Sequence, residues 1–270
     1  MVDATTQQQV STETQHQVFV EKRDTAAVLT LNLPDQRNPL SLSMMQDLRD
    51  RLVEIGQDHE IRVVVIKGEG KVFSSGHNLK EMTGRTLEDQ REIFDVCSQM
   101  MQAVQQIPQP VIAQVHGVAA AAGCQLVATC DLAVAADSTL FLTPGVRIGL
   151  FCSTPMVALS RNVGRKRAME MLLTGEPISA ETAADWGLIN RAVPQDELDS
   201  EVWDLVEKLS AWSPMTMGVG KQAFYAQVDV PQAEAYTLMS ETMATNAMAL
   251  DAQEGITAFL GKRQPVWQGK

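Results

Sequence analysis

An α/β fold is what the sequence predicts, and three observations predict it. A short unbroken apolar run at residues 63–66 is broadly repeated at 111–115 and 132–136. Loops and stretches of helical spacing separate them, and from about Asp196 onward only helical spacing remains. Apolar runs of this length suit strands covered on both faces, and strands alternating with helices suit a parallel sheet. Periodicity alone leaves open whether these units form one open sheet or a spiral of similar units.

Taken in order, residues 1–16 are polar, lack the basic and apolar regions of a secretory signal, and read as a disordered tail. Residues 17–23 and 25–33 carry β-branched residues on either side of Asp24, the pattern of a hairpin entering a sheet. After the turn LPDQRNP, Met45, Leu48, Leu52 and Ile55 mark one face of a helix, with Ser43 as its expected N-cap. The three apolar strands follow. Residues 198–210, 214–226, 233–247 and 251–262 each show helical spacing, so residues 17–195 read as the core and 196–270 as a helical subdomain. Most of the fourteen methionines suit adaptable core filling.

Composition excludes several functions. A net charge of -11 disfavours binding to a phosphate backbone, so no nucleic-acid partner is expected. The least charged stretch, residues 110–130, is broken by Gln114, His116, Gly117, Gly123 and Gln125, so no membrane span is expected either. Cys97, Cys124, Cys130 and Cys152 show no metal-ligand spacing and read as reduced thiols of a cytoplasmic protein. No ligand cluster suggests a metal, no GxGxxG a nicotinamide cofactor, and no GxSxG a serine nucleophile.

Two loops are candidates for chemistry. In KVFSSGHNLKEM (residues 71–82), Gly76 permits a backbone conformation closed to other residues and presents the next amide. In HGVAAAAGCQL (residues 116–126), the alanines and Gly123 allow close backbone approach, ahead of a helix whose N-terminal amides face an oxygen. Small residues at such junctions equally serve packing, and each loop alone does not decide between the two.

The pair, in this order, resembles the crotonase superfamily, the enoyl-CoA hydratases and isomerases, whose patterns are FxxG(A/H)(D/N)(L/I)KEM and HGxxxGGGxEL. LNLPDQRNPLS, LTGEPISAETAADWGLINRAVP and QEGITAFLGKRQP extend the likeness over residues 17–267. Within that superfamily, AAGCQL, TPGV, GLFCSTP, LTGEPIS and EGITAFL resemble the branch of enoyl-CoA hydratase domain-containing protein 3. The resemblance implies a spiral of ββα units with C-terminal helices used for trimerisation, as a homotrimer or a dimer of trimers. It also implies an acyl-CoA thioester as ligand, with coenzyme A entering as part of the substrate and no separate cofactor.

Roles follow by position. The backbone amides of His77, after Gly76, and Ala122, before Gly123, match the family's two donors to the thioester oxygen. Asn78, Leu79 and Lys80 match the stretch lining the CoA channel, and Cys152, Ser153 and Thr154 the loop facing the acyl group. A side-chain acid is a second role open to His77, and an N-cap a second role open to Ser153 and Thr154. Hydratases of this family use two glutamates, and the matching positions here are Gln125 and Gly145. Neither can exchange a proton near neutral pH, so ordinary hydratase turnover is expected to be severely reduced. Gly145 is expected to leave space in which a substrate carboxylate, a bound anion or a water substitutes for the missing base. The expected function is a CoA-thioester enzyme of the hydratase/isomerase type, and the alternative is a noncatalytic acyl-CoA-binding or assembly protein.

Overall fold

The structure, a computed structural model, describes residues 17–270; the tail expected at residues 1–16 lies outside the described residues. Strands β1 (Val18–Arg23) and β2 (Ala26–Leu31) form the expected antiparallel hairpin, with Asp24 at φ 53° in its turn. Four turns of a spiral follow, each a buried strand, a short second strand and a helix. The first is β2, β3 (Pro39–Leu40) and α1 (Leu42–Gly56). The second is β4 (Val63–Gly68), β5 (Gly76–His77), α2 (Leu79–Met82) and α3 (Leu87–Gln106). The third is β6 (Val111–Val115), β7 (Val118–Ala120) and α4 (Ala122–Thr129). The fourth is β8 (Leu132–Ala136), β9 (Leu140–Leu142) and α5 (Ser153–Asn162).

After α6 (Arg165–Thr174), β10 (Ile178–Ser179), α7 (Ala180–Trp186) and β11 (Arg191–Val193), the chain is helical: α8 (Leu198–Ser210), α9 (Pro214–Gln227), α10 (Gln232–Ala247) and α11 (Leu250–Leu260). Among the described residues, β1, the first strands of the four units and β11 form a six-stranded sheet ordered β1-β2-β4-β6-β8-β11, parallel from β2 onward. The short second strands turn away into two small sheets, β3-β5 and β10-β9-β7. This is the spiral of ββα units that the resemblance implied.

Both faces of the large sheet are covered, which is why its strands read as continuous apolar runs. On one face Val28, Val63, Val65, Ile112 and Val134 meet Leu198, Val202 and Val206 of α8. On the other, Leu29, Leu31, Val64, Ile66 and Val115 meet Met45, Leu48 and Leu52 of α1 and Met100 and Val104 of α3. The helical run from about residue 196 therefore begins with a helix that belongs to the sheet's own core.

Two local expectations are corrected. The N-cap of α1 is Ser41, not Ser43: Ser41 is the last extended residue after β3, and its Oγ accepts from the N–H of Met44 at 3.1 Å. Ser43 already lies in the first turn. The methionines divide, with Met44, Met45, Met100 and Met171 in the core and Met169, Met243 and Met248 exposed.

Candidate functional site

Parallel strands deliver their C-terminal ends to one side of a sheet, and there the loops after β4 and β6 meet. Gly76 has φ +89°, and a Cβ on it would lie 2.8 Å from the carbonyl oxygen of Ala120 and 3.2 Å from the nitrogen of Ala122. Any side chain at 76 would push the two turns apart. Gly123 answers this from the other loop: a Cβ there would meet the Cβ and carbonyl oxygen of Ser74, each at 2.8 Å. Between them Ala121 adopts φ 49°, ψ −115°, strained for an L-residue by about 1–3 kcal/mol, with its N–H fixed on Leu142 O at 2.9 Å.

Two backbone donors result. Ala122 opens α4, so its N–H is one of those a helix cannot satisfy internally, and no turn or loop carbonyl takes it up. For His77 the ladder decides. In a parallel bridge one residue supplies both its N–H and its C=O, and Pro39, opposite Gly76, has no N–H. Gly76 must therefore make both bonds to β3, and alternation turns the N–H of His77 away from that strand. The N–H groups of His77 and Ala122 thus stand beside a close backbone approach, with no acceptor from β3 for the first and no turn or loop acceptor among the described residues for either.

A cleft of about 850 Å³ opens here and brings together most of the residues singled out from sequence: His77, Asn78, Leu79, Lys80, Gly145, Cys152, Ser153 and Thr154. Gly76, Ala122, Gly123 and Gln125 are not part of its wall; Ala121, whose peptide carries the Ala122 N–H, is. Asn78 caps α2, its Oδ1 accepting from the N–H of Lys80 at 3.2 Å. A larger cavity, about 1010 Å³, lies beneath α9 and α10 and includes no residue of either loop.

Three expectations fail at this site. Gly145 leaves no space: a Cβ would stand 2.0 Å from the carbonyl oxygen of Leu150 and 2.9 Å from Cys152 Sγ, because the turn after Pro144 closes back through the Leu150 N–H to Gly145 O bond of 2.9 Å. Ser153 and Thr154 do not cap α5; the capping position is Cys152, and no side-chain cap bond forms. His77 is not a protonated acid at neutral pH, since burial lowers its pKa from 6.5 to about 4. Its ring stands edge-on to Phe94, with centroids 5.4 Å apart, and its Nε2 has no hydrogen-bond partner among the described residues.

Gln125 is buried, 6% exposed, and its Oε1 likewise has no partner among the described residues. The four cysteines are free and buried; burial pushes Cys124 up to about 12 and raises Cys152. As thiols rather than thiolates they are poor nucleophiles.

Sequence reasoning missed Phe94, Arg147, Ile148, Leu150 and Phe151 on the cleft wall. Phe94 sits in the helical register of α3 like any amphipathic-helix residue, and nothing local marks it. In GLFCSTP the polar residues stand out in the sequence, and the wall uses Leu150 and Phe151 as well.

Comparison with known proteins agrees with this geometry. Residues 5–270 match the family model described as enoyl-CoA hydratase/isomerase. Over 240 residues the chain is 50% identical to "Enoyl-CoA hydratase domain-containing protein 3, mitochondrial" of Xenopus laevis, covering 88% of this chain and 82% of that one. The crystal structure of the human enoyl coenzyme A hydratase domain-containing protein 3 superposes with a TM-score of 0.91 at 46% identity, covering 93% of this chain and 100% of that one. A crystal structure described as an enoyl-CoA hydratase from Mycobacterium smegmatis superposes with a TM-score of 0.91 at 45% identity, covering 93% and 98%.

Proposed function

Since this chain belongs to the enoyl-CoA hydratase/isomerase family, in the branch that includes enoyl-CoA hydratase domain-containing protein 3, we propose that it binds an acyl-CoA thioester with the thioester oxygen between the backbone N–H groups of His77 and Ala122. One observation carries this reading: the contact between Gly76 and Ala122, with neither N–H engaged elsewhere. A thioester becomes enolate-like when its α-carbon loses a proton or its β-carbon is attacked. Two fixed amides stabilise that charge without reorganising, and each donor is typically worth about a hundredfold to a thousandfold in rate. Because main-chain groups do this, the side chains at 77 and 122 are free to differ. Asn78, Leu79 and Lys80 extend the wall toward the cofactor end of the ligand, where the Lys80 ammonium suits a phosphate.

The acid/base partner is what this chain lacks. Gln125, buried and outside the cleft wall with its Oε1 unpaired among the described residues, would orient a water or polar acyl group that reaches past the wall, and it transfers no proton. Hydration of crotonyl-CoA by the unmodified protein is expected to be slow, and Gln125→Glu to raise it by about a hundredfold, the lower end for one general acid/base group. Steady-state assay of both proteins tests this. Rapid hydration by the unmodified protein would overturn the reading of Gln125.

A second reading, a noncatalytic acyl-CoA-binding or assembly protein, is favoured by the closure around Gly145, where a glutamate does not fit unless Leu150 and Cys152 move. Product analysis with a panel of CoA thioesters separates the two, since the second reading requires saturable binding without turnover. The family's trimer, alone or as a dimer of trimers, is the assembly proposed. Four buried free thiols suit a reducing compartment, in our reading the cytoplasm, although the Xenopus relative's name says mitochondrial. Among the described residues no helix is long and apolar enough to cross a membrane.

A further inference from the structure

Ser74 touches both turns of the site, and no role was assigned to it from sequence. It is fully buried, and it pairs with the second loop through its main chain: its N–H donates to Val118 O at 3.2 Å and its carbonyl accepts from the N–H of Ala120 at 3.0 Å. Its side chain serves the first loop. Oγ donates to Asn38 O at 2.8 Å and accepts from the N–H of Gly76 at 3.2 Å. Asn38 is itself clamped, buried at φ 48°, its Nδ2 donating to Glu69 O and Val72 O and its Oδ1 accepting from the Leu33 N–H. The third side of Ser74 is pressed against Gly123, where only a missing side chain allows the approach.

We propose that Ser74 is a positioning residue that sets the two N–H donors relative to one another. Its backbone ties it to the strand leading into Ala121 and Ala122. Its hydroxyl ties Gly76, and hence the peptide carrying the His77 N–H, to the same point. A glycine at 76 with φ +89° has wide conformational freedom; its pairing with β3 restricts it, and the Oγ contact at the same N–H restricts it further. Preorganised donors outperform mobile ones because no ordering remains to be done when the oxygen arrives. The hydroxyl of Ser74 therefore acts on the carbonyl part of the ligand and not on coenzyme A. This inference rests on the oxyanion reading proposed above.

The test compares two ligands that differ only at that oxygen, butyryl-CoA and its thioether analogue S-butyl-CoA, by isothermal titration calorimetry on the full-length protein. Ser74→Ala keeps the backbone pairing and the Gly123 contact and removes only Oγ. The unmodified protein is expected to prefer the thioester by about tenfold, the scale of a hydrogen-bonded oxygen. Ser74→Ala is expected to bring that ratio close to one, while thioether affinity stays within about twofold. A general loss of stability weakens both ligands alike and leaves the ratio unchanged, so the ratio separates positioning from folding. If Ser74→Ala does not fold, Ser74→Cys, nearly isosteric but a weak hydrogen bonder, is expected to give an intermediate ratio. A ratio near one in the unmodified protein would sink the oxyanion reading itself, and this inference with it. An unchanged preference in a folded Ser74 variant would overturn the role of Ser74 and leave the ligand class standing.

Discussion

Burial sets the ionisation of His77 and with it an acid-side weakness of the protein. Folded, the ring takes its proton only near pH 4; unfolded, it does so near 6.5. Between those values the unfolded chain binds more protons, so stability falls as pH drops from about 6.5 to about 4 and is unaffected above. From pH 7 to pH 5 the loss amounts to up to about 2 kcal/mol. Urea titrations at the two pH values should show this difference shrinking in His77→Gln; an undiminished difference would mean that the ring is not the group responsible. At this same scale, the resemblance matches Gln125 and Gly145 to the family's two acid/base positions, and residue identity is a local property. Whether a glutamate fits at 145 is not local. It depends on the carbonyl of Leu150 and the sulfur of Cys152, brought back by the short helical turn after Pro144.

Among the elements, most long ones were legible and the short ones were not. α1 and α8 to α11 each carry enough residues for an apolar stripe to register, and the buried strands show as runs of apolar residues, whereas α3, though the longest helix described, is not singled out by the sequence. β3 and β5, with two residues each, and β7, with three, cannot display a period of two. They are also what makes each unit a ββα turn, so the repeat stayed hidden in the sequence. The docking of α9 was equally invisible. Lys221, nearly buried, reaches Asp131 at 2.8 Å and donates to Val104 O and Gln109 O, while Tyr225 OH donates to the other oxygen of Asp131 at 2.8 Å. Burial holds the Lys221 pKa below its ordinary value, with Asp131 opposing. Lys221→Met leaves a buried carboxylate without its cation, and about 3 kcal/mol of stability should be lost. Chemical denaturation measures it; a shift within about 0.5 kcal/mol would show that the pair contributes little beyond the surface norm.

At the scale of the whole molecule, α9, α10 and α11 leave large apolar side chains outside the core: Phe224 at 54% exposed, Met243 at 68%, Phe259 at 83% and Leu260 at 76%. Scattered exposed apolar residues are ordinary, but several on consecutive helices fit the trimer proposed above. Light scattering coupled to size-exclusion chromatography should report a homotrimer or its dimer, and Phe259→Glu a smaller species. A monomer from the unmodified protein would exclude the assembly. By itself the sequence determined the α/β class, the order of the long elements, the two turns and the ligand class that the resemblance implied. The class, the order and the turns follow from hydrophobic spacing and from glycines at fixed offsets, which need no partner from elsewhere in the chain, whereas the ligand class rests on the resemblance. Only the tertiary structure decided that the two turns touch, that Ser74 joins them, and that no side chain fits at 145. Each of these is a contact between segments far apart in the chain, and hydrophobic burial brings such segments together without leaving a periodic trace in either.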